Sequence, residues 1–206
     1  MIKLSVIIPV YNQEKLVVKA LDSIPIRDDI EVIVCNDKST DNSLEVIKEY
    51  KTTHPRLNMR IIENEVNIGL GATKNVLFDN ARGEYINQLD SDDYLYTEEY
   101  NKVIDMLDGS DMVYVNLQKN DGDILRITPE TKWNICGGPA RFIRREFLGD
   151  TRCYPIRAAE DLYLNGMLLG KKPTELFTDI TTYHYNFPRE GSLSDMLIKG
   201  QIKIDI

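Results

Sequence analysis

Along the first 90 residues, apolar runs alternate with apolar positions at helical spacing. Residues 4–9, 30–35 (IEVIVC), 59–62 (MRII) and 84–89 (EYINQL) are short and largely hydrophobic. Such runs mark strands buried on both faces of a parallel sheet. Between the first two, Leu16, Val17, Ala20, Leu21 and Ile24 recur at three and four residues until Pro25. Leu44, Val46 and Ile47 give a second helix, with Asp41 placed to cap it and His54-Pro55 to stop it. Residues 69–83 give a third, with Gly83 as its C-cap. Four alternations of this kind imply right-handed βαβ crossovers, a mostly parallel central sheet and helices on both faces.

The second half is less regular. Thr97 is placed to cap a helix carrying Tyr100, Val103, Ile104 and Leu107. Residues 111–118 (DMVYVNLQ) read as a fifth strand, and the turn KNDGD predicts that 124–128 (ILRIT) returns antiparallel. Residues 134–149 read as a Gly/Pro loop and then a short helix, on which Arg141, Arg144 and Arg145 form a solvated face. Residues 158–170 are helical, with Leu162, Met167 and Leu169 on the apolar side, and 181–187 (TTYHYNF) are a last strand. With no repeat or linker, the chain reads as one domain: a nucleotide-binding half over 1–95 and a more variable acceptor and catalytic half over 96–206.

Composition narrows the chemistry. A net charge of -8 argues against a nucleic-acid binder, which rests on clustered Lys and Arg. Cys35, Cys136 and Cys153 fit neither a disulfide framework nor a zinc pattern. They read as reduced thiols, and the protein as cytoplasmic. The first apolar run is too short for a membrane span, which leaves only peripheral membrane contact open.

The polar residues gather where strands end: Pro9, Val10, Tyr11 and Asn12 after the first, Asn36 and Asp37 after the second, Asn64, Glu65 and Asn67 after the third, Asp90, Ser91, Asp92 and Asp93 after the fourth. In an open parallel sheet these ends share one edge, and ligands bind in the crevice beside it. Neither GxxxxGK[ST] nor GxGxxG is present. Carboxylates repel phosphate and hold it only through a hard divalent cation such as Mg²⁺ or Mn²⁺. The bland alternative is an acidic helix N-terminus. Alternation of side chains puts Asp90 and Asp92 on one face of an extended strand and Ser91 on the other.

Four blocks in order, SVIIPVYNQEKLVVKALDSI, EVIVCNDKSTDNSLEVI, NIGLGATKN and GEYINQLDSDDYL, resemble the family 2 glycosyltransferases. These are inverting enzymes of the nucleotide-diphospho-sugar transferase (GT-A) fold. The likeness is dense over about residues 3–95 and looser through AAEDLYL and YHYNFPREGSLS to about residue 194. It implies a nucleotide-diphospho-sugar donor, most often a UDP-sugar, a Mn²⁺ or Mg²⁺ ion, a saccharide or glycolipid acceptor, and a role in polysaccharide or glycan synthesis. Carried over by position, Pro9, Val10, Tyr11 and Glu14 wall the nucleoside pocket. Asp37 meets the base, where a carboxylate suits the N–H of uracil, thymine or guanine. Asn67, Lys74 (where the family has Arg) and Ser91 join the donor-binding group. Asp90 and Asp92 are the DXD acids, Asp92 on the metal and Asp90 on the ribose or a metal-bound water, with Asp93 capping or orienting. Asp161 is the catalytic base, with Glu160 its rival. His184 and Arg189 close over the diphosphate, His184 as a further metal ligand. Two other readings compete: a sugar-nucleotide nucleotidyltransferase, against which PVYNQEK lacks a glycine, and a silent nucleotide-binding module, against which the DSD and ED acids stand.

Overall fold

The computed structural model describes residues 1–133, 138–154 and 160–201. The first half contains β1 (Leu4–Val10), α1 (Val17–Asp22), β2 (Ile30–Asn36), α2 (Ser43–Thr53), β3 (Met59–Glu63), α3 (Leu70–Asn80) and β4 (Tyr85–Gln88). Its strands are parallel neighbours in the order β3-β2-β1-β4. Every residue of β1 and β2 is buried, as continuous apolar runs require. Polar residues inside these runs are matched to one another. Ser5 donates to Glu31 at 2.6 Å, and Glu31 also takes Arg60 at 3.0 Å. Asn87 accepts the Tyr100 hydroxyl and donates to the Arg141 carbonyl, both at 2.8 Å. Burial without such partners would be costly.

The second half contains β5 (Tyr94–Leu95), α4 (Thr97–Met106), β6 (Met112–Lys119), β7 (Ile124–Leu125), a 3₁₀ turn (Gly138–Ala140), β8 (Arg141–Arg144), α5 (Arg145–Leu148), α6 (Glu160–Gly170), β9 (Glu175–Tyr185) and α7 (Leu193–Ile198). The same sheet continues from β4 through β8, β6 and β9 to β5, with β7 hairpinned on β6. β8 is antiparallel to β4 and β6, β5 is antiparallel to β9, and β9 is parallel to β6. The fold is therefore α/β, with a mostly parallel sheet and a small antiparallel part.

Several local expectations change. Residues 141–144 are a strand, not a helix, because they fill the gap between β4 and β6 with Phe142 and Ile143 both buried. The three arginines therefore do not share one solvated helix face. Arg141 is buried, Arg144 is half-buried on Asp111 at 2.5 Å, and only Arg145, which opens the short helix α5, is exposed, donating to the Gly83 carbonyl at 2.8 Å. The last strand begins at Glu175, well before the aromatic stretch. Thr97 is the first residue of α4, and its hydroxyl donates to the Ser23 carbonyl instead of capping. Asp41 sits ahead of Asn42, the residue at the cap of α2, and accepts the Ser43 N–H at 3.0 Å. Gly83 lies beyond the end of α3, where a Cβ would stand 2.5 Å from the Ser5 nitrogen. It is needed for close approach to β1 and not for a left-handed cap. Cys35 and Cys153 are buried, and burial first of all pushes both thiols up to about 12. Cys136 lies outside the described residues. Among the described residues no helix is long and apolar enough to cross a membrane.

Candidate active site

The parallel strands β1, β2, β3 and β4 bring their C-terminal loops to one edge. After β1, Tyr11 and Asn12 are exposed and Glu14 is half-buried, whereas Pro9 and Val10 are sealed inside the strand. Only Tyr11 and Glu14 of that expected wall reach the surface. Asn12 adopts a positive φ of 54° and its Oδ1 accepts the Thr40 N–H at 2.8 Å. Glu14 accepts the Asn42 N–H at 3.0 Å. These two bonds tie the loops after β1 and β2 together.

Asp37, just after β2, is buried. Its Oδ1 accepts from the Ile68 N–H at 2.9 Å and from Asn64 Nδ2 at 2.8 Å, and its Oδ2 from the Gly69 N–H at 2.9 Å. Asn67 donates to the Asp37 carbonyl at 3.1 Å. The aspartate thus clamps the loop that enters α3, and does not bond the backbone of its own DKSTD turn.

Residues 90–93 form a turn, closed by the Asp93 N–H on the Asp90 carbonyl at 3.1 Å, and lead into β5, not a helix. Asp90 and Asp92 are partly exposed, while Ser91 and Asp93 are buried. Exposure alternates here within a turn and not along an extended strand. Gln88 Nε2 donates to Asp90 at 2.5 Å. The Tyr183 hydroxyl donates to Asp93 at 2.6 Å and accepts the Asp90 N–H at 3.1 Å, so β9 pins the turn. Burial, then the nearby acids, pushes the carboxyls of Asp90 and Asp93 upward, and Lys74 partly offsets this at Asp90. Arg189 reaches Asp92 Oδ2 with Nε at 2.9 Å and Nη2 at 2.6 Å.

His184 belongs elsewhere. Its ring stacks on Tyr94 with centroids 4.2 Å apart, Nδ1 lies 3.2 Å from the Tyr96 hydroxyl, and Nε2 lies 2.9 Å from Asn120 Oδ1. Burial, then Lys19, lowers its proton affinity. Among the described residues no three His, Cys, Asp or Glu side chains could together hold a metal, which removes His184 from a set with Asp90 and Asp92. Two carboxylates still fit a divalent ion that completes its shell with water and substrate phosphates. A guanidinium already bound at Asp92 shows that this carboxylate takes a cationic partner.

α6 opens with Glu160 and Asp161. Lys74 of α3 reaches both, Nζ lying 2.6 Å from Glu160 Oε1 and 2.8 Å from Asp161 Oδ1. The ammonium is enclosed, with both of its bonds going to the acids of α6. Burial alone would raise the Asp161 carboxyl, but Lys74 and Arg141 outweigh it and hold it below the usual range. Asp161 Oδ2 accepts the Gly138 N–H at 3.3 Å. A Cβ on Gly138 would stand 2.1 Å from Gln88 Oε1. The two acidic centres are therefore joined through Gln88 and Gly138. Sequence reasoning missed Gln88, Gly138 and Tyr183. A buried amide in an apolar strand and the Gly-Gly-Pro run were signals for the first two, and nothing in the sequence marked Tyr183.

The family model "Glycosyl transferase family 2" matches residues 5–160. The chain is 44% identical over 102 residues to the poly(ribitol-phosphate) beta-glucosyltransferase of Bacillus spizizenii, which covers 47% of this chain and 16% of that protein. It is 28% identical over 216 residues to TarS, a poly(ribitol-phosphate) beta-N-acetylglucosaminyltransferase of Staphylococcus aureus, covering 93% of this chain and 36% of the relative. The chain thus spans about a sixth to about a third of these curated relatives. The crystal structure of S. aureus TarS 1-349 with UDP-GlcNAc aligns at a TM-score of 0.80 and 26% identity, over 93% of this chain and 60% of that one. The mannosyltransferase PcManGT from Pyrobaculum calidifontis, solved with GDP-Man and Mn²⁺, shares the fold at a TM-score of 0.76 and 20% identity, over 97% of this chain and 61% of that one.

Proposed function

The chain belongs to glycosyl transferase family 2, and from that premise we propose that it moves a sugar, with inversion, from a UDP-sugar to a hydroxyl of a saccharide or polyol-phosphate polymer. The observation that carries this reading is two acidic centres brought together at the strand ends: Asp90 and Asp92 on the turn after β4, and Asp161 at the head of α6, linked through Gln88 and Gly138. Single displacement needs two such groups, because the leaving diphosphate and the incoming hydroxyl lie on opposite faces of the sugar carbon.

Each residue then has a task. Tyr11 and Glu14 flank the nucleoside, and the loop that Asp37 and Asn67 hold together forms its floor. Asp90 and Asp92 would hold a Mn²⁺ or Mg²⁺ ion, which supplies Lewis-acid neutralisation of the diphosphate. Arg189 leaves Asp92 when donor binds and turns its planar fork to phosphate. Asp161 takes the proton of the acceptor hydroxyl. The O–H electron pair forms the new bond to the sugar carbon, and the old carbon–oxygen pair departs with UDP. Among the two acids that open α6, exposure favours Asp161: its side chain is 22% accessible and that of Glu160 is 5%. The UDP-GlcNAc complex of TarS makes that donor the first to try.

Calorimetry of UDP with Mn²⁺, with EDTA, and with Asp92→Ala tests the donor half. Binding that needs the ion and fails in Asp92→Ala is expected. Equal affinity in all three would sink the metal assignment.

A further inference from the structure

Lys74 is 1% exposed, and a buried ammonium persists only where carboxylates hold it. One carboxylate would balance its charge, yet it has two, on adjacent residues. We propose that the Lys74–Glu160 pair is a positioning device for the base: Glu160 anchors the ammonium, and the ammonium fixes Asp161 by one oxygen at the crevice wall. This rests on the reading of Asp161 as the base.

The packing is built for that contact. A Cβ on Gly71 would stand 2.7 Å from the Tyr154 carbonyl oxygen and 3.2 Å from Glu160 Cβ, so only glycine lets α3 and the head of α6 approach this closely. Asp161 Oδ1 is held by Lys74 and Oδ2 by the Gly138 N–H, which fixes the plane of the carboxylate. Of the two acids only Asp161 is accessible to a substrate.

Charge explains the second acid. Two cations, Lys74 and Arg141, lower the Asp161 carboxyl. Glu160, bonded to the same ammonium, offsets part of that positive charge, so Asp161 stays ionised beforehand and can still take the proton of the acceptor hydroxyl. The charged and titratable groups facing Asp161 are Lys74 from α3, Arg141 from β8, Asp90 from the turn after β4, Cys153 ahead of α6, and Glu160 on α6 itself.

The test compares wild type, Glu160→Gln, Asp161→Asn and the double variant Lys74→Met/Glu160→Gln. The double variant replaces the ion pair by neutral side chains of similar volume, because Lys74→Met alone strands a buried carboxylate. UDP binding with Mn²⁺ checks that each protein is folded. The Asp161 carboxyl is titrated by ¹³C NMR, and UDP-N-acetylglucosamine turnover is followed against pH. Loss of a cation partner moves a carboxylate by about 1–3 pH units. We expect the Asp161 titration and the acid limb of kcat to fall together in Glu160→Gln, and to stand higher in the double variant than in Glu160→Gln by that amount. A double variant that binds UDP with the titration and acid limb where Glu160→Gln has them makes Lys74–Glu160 a merely structural pair and overturns the proposal. A titration that moves while Asp161→Asn keeps wild-type turnover overturns the base reading, and with it any part for Lys74 in transfer.

Discussion

Asp37 shows how far residue chemistry alone can be trusted. A carboxylate after a buried strand was expected to face a nucleobase, yet three of its acceptor positions are taken by Asn64, Ile68 and Gly69. Asp37→Ala should therefore cost stability as well as UDP affinity. Hydrogen bonds to a charged group contribute about 1.5–3 kcal/mol, and a urea midpoint lowered to match is expected. An unchanged midpoint would mean that the loop into α3 holds itself. His184 gives the opposite case. Its ring is engaged by Tyr94, Tyr96 and Asn120, so His184→Ala should leave the Mn²⁺ dependence of UDP binding intact in calorimetry. At Asp161 the expected loss is kinetic. Asp161→Asn should lower transfer by about 10²–10⁴-fold, the usual yield of a general base, with UDP affinity retained. Full activity in that variant would remove the base assignment.

Elements meet in this fold where glycine lets them. Gly83 passes β1 so closely that a Cβ would meet the backbone nitrogen of Ser5 at 2.5 Å and the carbonyl carbon of Leu4 at 2.7 Å. Backbone cannot swing aside, so Gly83→Ala should reach or exceed the roughly 1–3 kcal/mol typical of overpacking, read as a lower Tm. Gly138 meets instead the far end of Gln88. A flexible amide can move, so Gly138→Ala should leave Tm nearly unchanged but detach Gln88 from Asp90 and weaken UDP binding. A Gly138 variant that loses stability and keeps UDP affinity would contradict this. Strand β8 belongs to the same scale. The stretch ARFIRREFL has helical spacing and its end, Arg145–Leu148, is the helix α5, but the open flanks of β4 and β6 recruit Arg141–Arg144 as the strand between them.

At the scale of the whole molecule, burial of acids shapes the response to pH. Asp90 and Asp93 are raised to about 7 and about 8, burial being the largest cause, whereas an unfolded aspartate titrates near about 4. Between those limits the folded chain holds protons that the unfolded chain releases, so these groups lose stability as pH rises. The metal-free protein should show a higher urea midpoint at about pH 5.5 than at about pH 8, and Asp93→Asn should flatten the difference. A midpoint that climbs with pH across this range in both proteins would refute the burial of these acids. How much of this was legible beforehand follows from the range of the forces involved. The parallel half could be read because burial on both faces leaves an uninterrupted apolar signature in β1 and β2, and because helices between them bury one periodic stripe. The order of polar residues at strand ends, and with it the family, is likewise local and survives in sequence. What the sequence could not hold is partnership at a distance: Tyr183 pinning Asp90 and Asp93 from 90 or more residues away, Lys74 meeting Glu160 and Asp161 across 86 and 87 residues, Arg141 inside the sheet. A carboxylate's strength and reach depend on which charges surround it in space, and only the closed tertiary structure decides which those are.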